Sequence, residues 1–230
     1  MTELVAQTNS LHNCESFKSI ENVLEMIHLN KNFITTSDNF LTSEVTFYNH
    51  LKRLIANSTD YSEDDSQNFL ELFLTNQLYA MTIQIHSLAD LTAQLIYELG
   101  LVELQTRSGH ELTIDKITFN NVRNKLSEET TGVYTSLLNA LNCFENDSFK
   151  YFSSLANTLK HKFIPLTNVG GVAFSGGNAE SGFQVDTFVL YEGGNNHLIA
   201  AEFLPSILAK YDSFKNEFDQ VIVELNNLVS

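Results

Sequence analysis

Proline is nearly absent from this chain: Pro165 and Pro205 are the only two in 230 residues. Everything before Pro165 lacks the strongest helix breaker, and glycine is scarce there too, a distribution that favours long helices. Cations are also few. Thirteen Lys and Arg stand against 28 Asp and Glu, a formal net charge of −15. So acidic a chain repels phosphate backbones unless its cations are gathered, which disfavours extended nucleic-acid binding and leaves room only for a small local site. The two cysteines, Cys14 and Cys143, are far apart and form no metal-type pair, so they read as free thiols. No run approaches the ~20 apolar residues of a membrane span, and the N-terminus lacks the basic and apolar regions of a secretory signal. These features predict a cytoplasmic protein with no membrane contact.

What the sequence does have is helical periodicity in a chain that is 43% hydrophobic and 18% charged, enough to bury a sizeable core. Phe17, Ile20, Val23/Leu24 and Ile27 step by three or four and predict a short first helix. A second is predicted from about Thr42 to Ala56. A third runs from near Asp65 to a C-cap at Gly100. At 1.5 Å per residue it would be about 50 Å long, long enough that a break inside it is an open alternative. Further helices are predicted over Phe119–Leu126, around Tyr134–Phe144, and over Ser148–Lys162.

The composition changes at Pro165. Glycines, the β-type run Phe183–Tyr191 and the turn signal Gly193-Gly-Asn-Asn196 predict a small hairpin or meander over about 169–200. A last helix follows over about 204–228, with Pro205 in its first turn. The fold class is therefore mainly α: an up-and-down helical bundle in one domain, 1–230, with a β insertion before the C-terminal helix.

The helix from Ser148 carries the most chemistry. Ser153, Asn157 and His161 follow one another at i, i+4, i+8, and Lys160 and Lys162 flank His161 in the densest basic cluster of the chain. A histidine between two ammonium groups is held neutral and able to accept a proton, a local kit for moving a proton beside a phosphate. The same residues also suit a plain helix C-terminus, where cations complement exposed carbonyls.

Asn157-Thr-Leu-Lys-His161, late in a helical bundle, resembles the HEPN superfamily, whose signature is Arg-Asn-x-x-x-His. Lys160-His-Lys162, the Ile164-Pro165 step and the hairpin after it also resemble uncharacterised bacterial helical proteins with a Lys-His-Arg motif. The HEPN resemblance implies either a metal-independent ribonuclease, active in a cleft shared by two protomers, or a non-catalytic module binding RNA or a partner protein. Ala156 stands where the signature has arginine, the fixed cation expected on the phosphate. The candidate site residues are His161, Asn157 and Lys160, with Arg53 or Arg123 as possible substitutes for the missing arginine. The implied partners are a second copy, RNA at a local site, or a basic protein met by an acidic immunity- or antitoxin-type surface. No cofactor is predicted.

Other patterns are weaker. Glu25-Met-Ile-His28 has the Glu-x-x-His spacing of di-iron bundles, and His86 with Asp90 lies at i, i+4, but a second Glu-x-x-His is missing. There is no Gly-x-Ser-x-Gly elbow. Val169-Gly-Gly-Val and Ser175-Gly-Gly-Asn lack the Gly-Lys-Ser/Thr ending of a phosphate loop and read as hairpin turns.

Overall fold

The computed structural model describes residues 11–42, 63–106, 108–161, 167–175, 178–192 and 195–229. Six helices are present among them: α1 (Glu15–Thr42), α2 (Glu63–Glu98), α3 (Phe119–Ser127), α4 (Thr135–Ala140), α5 (Asp147–His161) and α6 (Leu204–Val229). Beyond Thr42, which ends α1, the helix predicted from Thr42 to Ala56 lies outside the described residues, as does Arg53. No helix of the described residues is long and apolar enough to cross a membrane.

The helices form where apolar residues repeat at helical spacing and bury one side. In α1, Phe17, Ile20, Ile27 and Ile34 are all buried. The helix is much longer than its first apolar stripe suggests, because the polar Asn30 is buried too and donates from Nδ2 to Gln84 Oε1 of α2 at 3.0 Å. At the other end of the same pair, the Ser16 amide donates to Glu98 Oε2 at 3.0 Å. Residue numbers rise along α1 as they fall along α2, so the two run antiparallel.

Helix α2 is continuous over 36 residues, about 54 Å at the usual rise, with no break inside it. Gly100 follows it at φ 69°, a left-handed conformation that glycine adopts without a Cβ penalty. Leu74, Leu78, Met81, Ile85, Leu88 and Leu95 supply its fully buried side.

Among the described residues five strands lie between α5 and α6, more than the predicted hairpin or meander requires. β1 (Thr167–Ser175) pairs antiparallel with β2 (Asn178–Val185), and the short β5 (Glu202–Phe203) pairs with the end of β2. β3 (Phe188–Glu192) and β4 (Asn195–Ile199) form a separate antiparallel pair. The apolar run Phe183–Tyr191, predicted as one strand, is cut at Asp186-Thr187. Both residues are exposed, and the Asp186 carboxylate accepts the Thr187 amide at 2.6 Å, giving the backbone an alternative to the ladder. Phe183, Val185 and Phe188, on either side of the cut, are fully buried. They join the same hydrophobic cluster as the helices, so the insertion is packed on the bundle.

Phenylalanine rings tie α5 to its neighbours. Phe144, in the 3-10 turn after α4, meets Phe119 at 4.9 Å, Phe149 at 5.1 Å and both Phe214 and Phe218 at 5.8 Å between centroids. Rings from three helices, α3, α5 and α6, therefore converge on Phe144. Cys14 and Cys143 are free and buried, and burial pushes the Cys143 thiol up to about 12.

Candidate functional site on the polar edge of α5

Helix α5 starts where Asn146 leaves the helical conformation, at φ −73° and ψ 163°, and accepts the Phe149 amide on its side-chain oxygen at 2.7 Å. The Asn146 Nδ2 donates to Glu217 Oε2 at 2.8 Å, which anchors this end to α6. Phe149, Phe152, Leu155 and Ala156 then face the core, with the last three at 0% exposure. Ser153 and Asn157 lie half-buried on the edge of that face, and Lys160 is exposed. His161 is the last residue of the helix; its side chain lies outside the described residues.

The edge is met by His86 of α2. Its Nδ1 lies 3.2 Å from Ser153 Oγ, within hydrogen-bond reach, with the donor set by the tautomer. Burial lowers the His86 pKa below its ordinary 6.5, and the Lys160 ammonium lowers it further, while Asp90 opposes both. The imidazole is therefore neutral near pH 7. Asp90 is the i+4 neighbour of His86, yet its carboxylate accepts the Phe119 amide at 3.0 Å and so caps α3. A partly buried neutral imidazole, a hydroxyl and an ammonium thus share one seam between α2 and α5. Such a set can hold a proton or a small anion beside Lys160. Because no backbone N–H in the middle of a helix is free, it offers no oxyanion hole next to Ser153.

Of the predicted site residues, Lys160 is close enough to act on His86, and Asn157 is half-buried one turn beyond Ser153 on the same helix. Arg123 does not belong to it. Its guanidinium pairs with Glu145 and donates to Asn142 at 2.9 Å, beside a polar cavity of about 410 Å³ lined also by Asn124, Ser127 and Asn139. Glu145 precedes the first turn of α5, whereas His161 ends it, roughly 20 Å further along the axis by helical rise. Arg123 therefore cannot take the place of the signature arginine at His161. Glu25 and His28 are exposed, with His28 Nε2 at 2.9 Å from Asn32, and no metal-sized group of three His, Cys, Asp or Glu occurs among the described residues.

In the sequence His86 stands out only for its i, i+4 spacing to Asp90. Its position against Ser153, 67 residues away, carries no local signal. No protein-family model, curated protein or solved structure matches the chain. The likeness of α5 to the HEPN signature therefore stands on its own residues.

Proposed function

We propose that the protein is a HEPN-like binding or regulatory module whose catalytic motif is degenerate. The observation that carries this reading is the complete burial of Ala156. In a working signature this position holds the cation for the phosphate. Here an arginine at 156 would point among Phe152, Leu155 and their neighbours, away from any ligand at Asn157 and Lys160. The only arginine described near the bundle's α3–α4 corner, Arg123, is already neutralised by Glu145. The buried thiols of Cys14 and Cys143 fit a reducing compartment such as the cytoplasm.

A ribonuclease reading draws on a different observation, the neutral His86 beside Lys160. In that reading His86 would share proton transfer with His161. The two readings separate in an RNA-cleavage assay without added metal, run on the wild type, His161→Ala and His86→Ala. No cleavage above the level of the two variants is expected. Cleavage by the wild type that falls a hundredfold or more in His161→Ala, the scale of a lost general acid or base, would overturn the proposal.

A further inference from the structure

The polar cavity of about 410 Å³ at the corner between α3 and α4 lies apart from the α5 seam. Helix α3 lines it with Arg123, Asn124 and Ser127, which fall within about 100° of one another round the helix axis. Helix α4 adds Leu138 and Asn139, and the 3-10 turn after it adds Asn142. Three primary amides from three elements therefore face one space. Its volume is in the range of small-molecule sites.

Hydrogen bonds already made fix what each wall can offer a ligand. Asn142 Oδ1 accepts from Arg123 at 2.9 Å, which leaves its Nδ2 as a donor. Ser127 Oγ donates to the Asn124 carbonyl at 2.7 Å, which leaves the hydroxyl oxygen as an acceptor. Asn124 and Asn139 are exposed, and their side-chain amides make no hydrogen bond among the described residues, so each offers both. Charge is cancelled at the rim. Arg123 pairs with Glu145, and Lys125 pairs with Glu128 at 2.7 Å. None of the lining residues carries a carboxylate.

We propose that this cavity is a binding site for a neutral saccharide. An anionic ligand needs a cation that is not already paired, and a cationic ligand needs a free carboxylate; the lining supplies neither. A sugar hydroxyl both donates and accepts, so two neighbouring hydroxyls can bridge the Nδ2 and Oδ1 of one amide. Leu138, half-buried, gives the C–H side of a sugar ring an apolar surface to rest on. An extended peptide fits less well, because its amides follow a line at about 3.4 Å per residue whereas these come from three sides of one space. The inference goes beyond the α5 reading and stands whether or not the seam is catalytic.

Titration with glucose, galactose, mannose, N-acetylglucosamine, maltose and cellobiose tests it, followed on the side-chain amide signals of Asn124, Asn139 and Asn142. At least one sugar is expected to move all three signals saturably, with a dissociation constant on the order of 1 mM, as suits a small site open to water. Asn124→Ala and Asn139→Ala should each weaken that binding about tenfold, the effect of losing one or two hydrogen bonds. Neither should move the urea midpoint, because neither amide has a partner in the fold. Inorganic phosphate should leave the three signals in place. The proposal is overturned if none of these sugars gives a saturable shift, or if the shift survives both alanine variants. A response to phosphate larger than that to any sugar also overturns it, since the cavity would then select charge.

Discussion

Ala156→Arg is expected to unfold the protein rather than restore a nuclease. Position 156 has no exposure, and its neighbours along the helix, Phe152 and Leu155, have none either. A guanidinium there adds volume to a packed interior and places a charge with no carboxylate partner among apolar groups. Overpacking alone costs about 1–3 kcal/mol, and an unpaired buried charge costs several more. The sum is on the order of 5 kcal/mol, comparable to the whole stability of many domains. Asn157→Arg supplies the control: Asn157 is half-buried on the polar edge, so the longer side chain can extend toward solvent. Urea unfolding of the two variants should show Asn157→Arg within about 1 kcal/mol of the wild type and Ala156→Arg largely unfolded without denaturant. A folded Ala156→Arg protein that cleaves RNA would mean that position 156 opens to a ligand.

The second large effect is expected at Phe144. Its ring is 5% exposed and touches Phe119 of α3, Phe149 of α5 and Phe214 and Phe218 of α6. Truncation to alanine removes the transfer energy of the ring and leaves a cavity walled by four other rings, which cannot all collapse into it. Such changes cost about 3–5 kcal/mol, and the lost edge-to-face contacts add to this. Chemical denaturation should place Phe144→Ala at least about 3 kcal/mol below the wild type, with Phe144→Leu recovering roughly half of the loss because most of the volume returns. A loss below about 1 kcal/mol for Phe144→Ala would mean that α3, α5 and α6 do not converge there.

The sequence made these helices legible where burial follows a regular step. Phe149, Phe152 and Leu155 predict α5, and Ile207, Tyr211, Phe214 and Phe218 predict α6, because each set is the buried side of its helix. The amphipathic pattern of α1 fades after Ile27 for a physical reason. Beyond Ile27 the pattern mixes an exposed apolar stripe with a buried polar Asn30, so hydrophobicity and burial no longer coincide. The insertion was legible as β structure, but the cut at Asp186-Thr187 depends on one side-chain hydrogen bond inside an apolar run. At the candidate site, the i, i+4 step from Ser153 to Asn157 was readable. The approach of His86 was not, nor was the commitment of Arg123 to Glu145, since both arise from tertiary packing between residues with no local relation.

The seam of α2 and α5 is closed by His86 rather than opened toward an arginine, and the state of that imidazole reports on it most directly. Proton–nitrogen correlation spectra of the histidine rings, followed through acid titration, give the tautomer and the pKa together. His86 should protonate at a lower pH than an exposed imidazole, with Nδ1 engaged, and Ser153→Ala should shift its ring nitrogens. A His86 that titrates at or above its ordinary value, with ring nitrogens indifferent to Ser153→Ala, would contradict the seating of α5 against α2.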